Sequence, residues 1–382
     1  MKKILLFLFL FSIIFVNPKA LTLAPNAKSA ILIESSTGEV IYSSNENEKR
    51  APASMTKMMS LILIMEEIEK GNLKWDEKIT ISENASNMGG SQIYLEKGEV
   101  MSVYDLVKGI SMASANDAVV ALAERISGSE EDFVKRMNKK AKSMGLSNTY
   151  FKNATGLDEK GHYSSAKDMA KIARELVKHK KILEFSSTYE DYLRQNTNKK
   201  FWLVNTNKLI KTYEGMDGLK TGFTKEAMYC LTATATRNNM RLIGVIMGEN
   251  DSKTRNAEMS ALLDYGFNLY KVNTLIKKGE VVSKYTDNKS SSISTKVVAN
   301  EDINILNKKG SKKRKITYDV IIKKKTLPIK KGDVVGYLEA KENNNKIFKV
   351  DVVVNKDIKK ANIVELFFRN LGEFITGDYI FN

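Results

Sequence analysis

The apolar pattern changes character once, near Tyr270, and this change constrains the fold more than any other feature of the chain. Before it, strand-like stretches flank a long helical middle. Ser29 to Ser43 alternates around Ser36-Thr37-Gly38, which reads as a hairpin of Ala30–Glu34 and Glu39–Tyr42. Ser54 to Lys70 reads as a helix, with Met58, Leu61, Ile62, Met65 and Ile68 apolar and Gly71 as its stop. Helical pattern continues through Val103–Ser114, Asp117–Ile126, Glu130–Met144 and Ala166–His179. Strands return in Met228–Ala235 and Met240–Met247 around the turn Arg237-Asn238-Asn239, and Arg255–Tyr270 reads as a closing helix. This order is that of an α+β domain, with helices packed on an antiparallel sheet.

After Tyr270, short β-rich runs are separated by Lys, Gly, Asn and Ser up to Val354, the clearest being Val320–Ile322, Val334–Leu338 and Val350–Val354. A small all-β domain is expected there, with a boundary near Asn273. The chain's 382 residues and 42% apolar content suit two packed cores. Ile363 to Phe381 is different again. Ile363, Val364, Leu366, Phe367, Phe368, Leu371, Phe374 and Ile375 share one helical face, opposite Glu365, Arg369, Gly372, Glu373 and Thr376. That is an amphipathic helix, too polar to span a bilayer, and four Phe in so short a segment favour a membrane-surface anchor over a helix docked on its own domain. The expected division is residues 1–20, 21–272, 273–360 and 361–382.

Residues 1–20 have the layout of a secretory signal peptide. Lys2 and Lys3 precede Ile4 to Val16, an apolar run of 13 residues broken only by Ser12. The run is short of the about 20 residues that cross a bilayer, so cleavage near Ala20 is expected, with an uncleaved anchor as the alternative. Export also bears on the charge. Of the net +16, most lies in Lys271 to Lys360, which holds 23 Lys and Arg against 10 Asp and Glu. The excess is lysine on a β-like pattern, without a nucleic-acid-binding motif, so no nucleic-acid partner is expected. The polyanions outside a cytoplasm are wall polymers and lipid headgroups. Cys230 stands alone with two histidines, His162 and His179, which leaves no Cys/His metal site, and no cofactor is expected.

Three short motifs carry chemistry. Ser54 and Lys57 are three residues apart at the start of the first long helix and therefore share a face. A serine hydroxyl needs a base to act as a nucleophile, and a lysine serves only if burial or another cation destabilises its ammonium. Ser-x-x-Lys alone is weak. A second copy, Ser164 to Lys167, contains Ser165 and Asp168, which read as a capping box. Ser114-Ala-Asn116 lies at a junction of two helical segments, where Ser114 can relay a proton and Asn116 can hold a substrate amide; alone, both read as helix caps. The same Ser-x-Asn spacing at Ser43–Asn45 and Ser82–Asn84 reads as turns. Lys220-Thr221-Gly222 falls on a predicted strand. It supplies a second cation, a hydroxyl for a carboxylate, and room for substrate along the strand edge.

Together and in this order, the three motifs resemble the low-molecular-weight penicillin-binding proteins, the D-alanyl-D-alanine carboxypeptidases. The stretches Ala51–Met59, Gly90-Ser91, Ser111–Ala118, Phe151–Leu157, Tyr163–Ala170 and Asp217–Thr224 also look like that family, and the likeness runs from about Ala27 to Tyr270. The resemblance implies a β-lactamase/transpeptidase-like domain and cleavage of the terminal D-alanine from peptidoglycan pentapeptides, in the service of cell-wall remodelling. It implies covalent binding of β-lactams and tethering to the outer face of a bacterial cytoplasmic membrane. Ser54 is then the acylated nucleophile and Lys57 its base. Ser114, Asn116 and Lys220 line the cleft and shuttle protons, and Thr221 and Gly222 bind substrate. The N–H groups of Ser54 and Phe223 form the oxyanion hole, and Arg255 stands where the family carries an arginine near the substrate carboxylate. Met228 is a departure, since the family often has glycine there. Class A β-lactamases share the motifs and add a Glu-x-x-Leu-Asn loop; Glu190–Leu193 approaches it, but Arg194 replaces the Asn.

Overall fold

Alternation at the start of the chain becomes a strand buried on both sides. In the computed structural model, which describes residues 22–312, 314–323 and 325–376, β1 (Ser29–Glu34) directs Ile31 and Ile33 into one apolar cluster and Ala30 and Leu32 into another. The expected signal segment and the end of the expected terminal helix beyond Thr376 lie outside the described residues. β2 (Val40–Ser44) pairs antiparallel with β1. The turn between them is held by the buried Glu34 carboxylate, which accepts the Ser36 and Thr37 N–H groups at 2.8 Å each.

A 3-10 turn, Ala53–Thr56, leads into α1 (Lys57–Glu69). Every residue from Lys57 to Met65 is buried, as expected of a central helix wrapped by others. Next come the ribbon of β3 (Lys78–Thr80) and β4 (Val100–Ser102) with α2 (Glu83–Ser86) between, then α3 (Val103–Ala113), α4 (Asn116–Ser127) and α5 (Glu130–Ser143). Ser82 caps α2, so the Ser82–Asn84 stretch opens a short helix rather than a plain turn.

The single helix expected over Ala166–His179 is two, α6 (Ala166–Leu176) and α7 (Lys180–Ser186). His179 leaves helical geometry, with ψ 84°, and its Nδ1 meets Glu69 Oε1 at 2.7 Å at the end of α1. Ser165 caps α6 by accepting the Asp168 N–H at 3.2 Å, but the reciprocal half of the capping box is replaced. The Asp168 carboxylate accepts instead from the Asn148 N–H and the Thr149 hydroxyl, at 2.8 and 2.9 Å.

The hairpin of β5 (Glu190–Leu193) and β6 (Phe201–Val204) and the short α8 (Leu209–Thr212) precede β7 (Met216–Thr224), β8 (Met228–Arg237) and β9 (Met240–Glu249). The main sheet is antiparallel in the order β2-β1-β9-β8-β7. Asn238 and Asn239 both have positive φ, 48° and 62°, as a tight β8–β9 hairpin requires. Met259, Leu262 and Leu263 of α9 (Ser252–Leu269) cover one face of this sheet, and α1 and α6 cover the other.

β10 (Tyr270–Ile276) continues directly from α9. β11 (Val281–Thr286), β12 (Ser294–Ala299), β13 (Ile303–Lys308), β14 (Ile316–Ile322), β15 (Val334–Glu342) and β16 (Asn345–Val354) follow. β10 pairs with β13 in a ribbon, and the rest form a sheet in the order β11-β12-β16-β15-β14 over a separate core that includes Val297, Leu338 and Val352. Arg314 joins the two regions: its guanidinium donates to Glu39 at 2.8 Å and to Glu342 at 2.9 Å. The architecture is the expected α+β domain followed by an all-β one. α10 (Ile363–Thr376) closes the described chain. Arg369 ties it to the Asn288 and Ser290 carbonyls at 2.6 and 3.0 Å, while Ile363, Phe367, Phe374 and Ile375 are each more than 60% exposed. No described helix is long and apolar enough to cross a membrane.

Candidate active site

Ser54 lies in the 3-10 turn and Lys57 opens α1, which brings Lys57 Nζ to 3.0 Å from Ser54 Oγ. Lys57 Nζ also donates to the Thr155 carbonyl at 2.7 Å, and the side chain is fully buried. Burial pushes this amine well below the usual lysine range; the positive charge of Lys220 adds to the effect, and Asp117 opposes it. Lys220, on β7, is buried as well, and burial lowers it to about 7. A serine hydroxyl thus lies beside an amine whose proton affinity is lowered by burial and a neighbouring charge, which favours general-base activation.

Close packing on both sides of the turn assembles the site. A Cβ at Gly222 would lie 2.9 Å from the Pro52 carbonyl and 3.1 Å from Ala53 Cβ, so the missing side chain lets β7 lie against the turn. Opposite, the segment 153–157 is stitched to α1. Ser60, one turn beyond Lys57, donates to the Ala154 carbonyl at 2.7 Å. Gly156 has φ +87°, and a Cβ there would lie 1.9 Å from the Ala53 carbonyl oxygen. Leu157 then reaches the α3–α4 junction: a Cβ at Gly90 would be 2.7 Å from Asn116 Nδ2 and 3.6 Å from Leu157 Cδ2.

At that junction neither Ser114 nor Asn116 uses its side chain as a helix cap. Ser114 ends α3 in left-handed conformation, φ 66°, through its backbone N–H, and Ala115 is the residue that precedes α4. Asn116 Nδ2 donates to the Gly89 carbonyl at 2.6 Å. Ser114 Oγ and Asn116 Oδ1 are buried without a hydrogen-bond partner. Two such atoms cost stability unless something outside the chain meets them, as at a ligand-binding wall. Thr221 is linked to the same junction: its hydroxyl donates to Thr206 Oγ1 at 2.8 Å, and the Thr206 N–H donates to the Met112 carbonyl at 3.1 Å.

The family described as D-alanyl-D-alanine carboxypeptidase matches residues 17–251, and the C-terminal domain of penicillin-binding protein 5 matches residues 270–360. The D-alanyl-D-alanine carboxypeptidase DacF of Bacillus subtilis is 50% identical over 92% of this chain and 91% of its own. The chain belongs to the D-alanyl-D-alanine carboxypeptidase family. It is an enzyme of the serine peptidase class. Among solved structures, penicillin-binding protein 5 of Haemophilus influenzae is 31% identical with a TM-score of 0.70, covering 88% of this chain and 98% of that one. Penicillin-binding protein D2 of Listeria monocytogenes, in an ampicillin-bound form, is 33% identical with a TM-score of 0.57, covering 63% and 98%.

The side chains of two further residues singled out by this family's pattern, Phe223 and Arg255, contact β8. The Phe223 side chain is about half exposed and stacks on Tyr229, ring centroids 4.4 Å apart. Met228 adopts φ 57° in the turn between them, a left-handed position that explains why glycine suits it elsewhere in the family. Arg255 is buried behind β8. It donates to the Cys230 carbonyl at 3.4 Å and to Asn256 Oδ1 at 2.9 Å, and makes no hydrogen bond to Ser54, Lys57 or Lys220. Cys230, opposite Gly222 in the ladder, is a packed thiol pushed up to about 11 by burial. Glu190 lies exposed on β5, and Arg194 uses its guanidinium on Glu99 and the Ile93 carbonyl, so this hairpin is a buttress.

The sequence reading missed Thr155, Asp117, Thr206 and His162. Asp117 accepts the Ile93, Leu95 and Ala118 N–H groups and holds the Gly90 loop to α4. Its place beside Asn116 was the available signal. Burial lowers His162 to about 4, so its ring is neutral near pH 7. The Lys152 N–H donates to its Nδ1, which leaves Nε2–H to donate to Thr56 Oγ1 at 2.9 Å.

The two buried amines make a pH prediction. Between about pH 7 and 10.5 an unfolded Lys220 is protonated and the folded one is not, so its penalty on stability is full below 7 and fades as pH rises to 10.5. Acylation should rise with pH as Lys57 loses its proton. Lys220→Gln removes the neighbouring charge, so Lys57 holds its proton longer and the rising limb of the acylation pH profile moves to higher pH. A limb that stays in place or moves to lower pH contradicts the coupling.

Proposed function

We propose that Ser54 attacks the carbonyl between two D-alanine residues at the end of a peptidoglycan stem pentapeptide. The Ser54 O–H proton passes to Lys57 Nζ as the C–O bond forms. The C–N bond to the last residue then breaks, D-alanine leaves with the proton on its amine, and water hydrolyses the acyl-enzyme. β-Lactams acylate the same oxygen. The observation that carries this reading is the 3.0 Å contact between Ser54 Oγ and a fully buried lysine whose ammonium is destabilised by burial and by Lys220.

The remaining roles follow from chemistry. Lys220 and Thr221 receive the substrate's terminal carboxylate; Gly222 lets β7 lie close against the Ser54 turn, so that a peptide bound along the strand reaches Ser54. Asn116 Oδ1 accepts a substrate amide N–H, and Ser114 relays the proton to the leaving amine; both atoms lack a protein partner. The Ser54 and Phe223 N–H groups take the oxyanion. Arg255 adds positive charge near the substrate carboxylate from its place behind β8. Residues 21–272 are the catalytic unit and 273–360 the β-rich one, with β10 running across the division. Residues 1–20 direct export, and residues 361–382 lay an apolar face on the membrane surface. The exposure of Phe367 and Phe374 supports that placement.

The test is a synthetic pentapeptide ending in D-Ala-D-Ala, with D-alanine and tetrapeptide measured as products. Equimolar release of both, with slow loss of bound penicillin, is expected. Absence of D-alanine release, or rapid β-lactam turnover, contradicts the assignment.

A further inference from the structure

Three lysines of the C-terminal region line one groove. Period-two alternation in β10 puts Lys271 and Asn273 on one face of the β10–β13 ribbon, the register sets Asn307 opposite Lys271 and Ile305 opposite Asn273, and an irregularity between Thr274 and Ile276 leaves Leu275 unpaired at the end of the same groove. With Lys308 and Lys312 these residues line a cavity of about 490 Å³. No Asp or Glu lines it, and none of its three lysines makes an ion pair among the described residues. A second cavity of about 250 Å³ shares Lys271 and adds Arg237 and Lys309. Three lysine ammoniums at one cavity suit an anion with repeating charge; next door Arg237 is already paired with Asp264 at 3.3 Å, and Lys309 donates to the Phe267 carbonyl at 2.8 Å.

Asn307 narrows the ligand further. It is 8% exposed; its Nδ2 donates to Asn273 Oδ1 at 3.1 Å, and its Oδ1 is buried without a partner. A buried acceptor left open calls for a donor from the ligand. Bare inorganic phosphate polymers have no such group at neutral pH, whereas a polyol phosphate has hydroxyls. Leu275 and Ile305 give the groove an apolar side against which carbon atoms of a polyol can lie.

We propose that this groove binds a hydroxyl-bearing phosphodiester, such as a glycerol-phosphate unit, with Lys271, Lys308 and Lys312 on the phosphate and Asn307 accepting from a hydroxyl. Two sources present this chemistry, a wall polymer and the headgroup of phosphatidylglycerol. The groove lies on the ribbon that joins the two regions, so its occupant orients the catalytic domain relative to the wall or membrane. The site is independent of the Ser54 chemistry.

The test uses the full chain and two probes, a soluble glycerol-phosphate oligomer and vesicles of phosphatidylglycerol in phosphatidylcholine. The triple variant Lys271→Ala, Lys308→Ala, Lys312→Ala is compared with a control triple at the exposed Lys284, Lys289 and Lys330. The groove triple should lose affinity on the order of 100-fold for at least one probe, the control no more than about threefold. The probe that responds identifies the source. Asn307→Leu should weaken the glycerol-phosphate oligomer about tenfold and leave inorganic polyphosphate unaffected. D-Alanine release from a soluble pentapeptide stays at the wild-type rate in every variant, which certifies the fold. Equal losses in the groove and control triples, equal effects of Asn307→Leu on both polymers, or tighter binding of single-stranded DNA of the same charge would each overturn the proposal.

Discussion

Lys57→Arg is expected to slow acylation by penicillin at least about 1000-fold, near the upper part of what a positioned base supplies. An arginine keeps its proton at every accessible pH, so it cannot accept one from Ser54. It would also bring a permanent charge into a pocket with no exposed surface, next to Lys220. Part of the loss could therefore come from a weakened fold. Lys57→Met separates the two effects: it fills similar volume without charge, so it should retain the wild-type melting temperature or exceed it and still be inactive. Rapid-mixing measurements with a fluorescent penicillin report the rate. A Lys57→Met protein acylated within tenfold of wild type would show that another group takes the proton.

Gly156→Ala is expected to cost about 3 kcal/mol or more and to damage acylation along with stability. A Cβ at Gly156 would lie 1.9 Å from the Ala53 carbonyl oxygen, and φ there is +87°. The atom it meets is backbone, so no side chain can swing aside, and an alanine is strained at that φ in any case. The displaced backbone belongs to the turn that carries Ser54. Melting temperature should fall by roughly 6–12 °C for a domain of this size, and the folded fraction should acylate more slowly per molecule. A variant with wild-type melting and acylation would mean that the 153–157 segment does not set the position of Ser54.

What could be read from the sequence depends on how local the cause is. The Ser36–Gly38 and Asn238-Asn239 turns, the α1 pattern and the strand around Lys220 are set by neighbours along the chain, and each appears where the pattern puts it. The Ser54–Lys57 pair is legible for the same reason, because three residues of helix fix its geometry. Thr206 was not legible: its contact with Thr221 spans 15 residues and depends on how the β6 hairpin returns to the end of α3. The Gly156–Ala53 approach crosses about a hundred residues, and only the glycine hints at it. The break between α6 and α7 arises from a tertiary contact of His179 with Glu69, 110 residues away, which overrides an otherwise continuous helical pattern.

Mapping the penicillin adduct tests the central claim, that Ser54 Oγ is the atom acylated. The protein is labelled with penicillin, digested, and the modified peptide sequenced by mass spectrometry. A single adduct on Ser54 is expected, and none in a folded Ser54→Ala protein. An adduct on Ser114 or any other side chain, or undiminished labelling of Ser54→Ala, would contradict it.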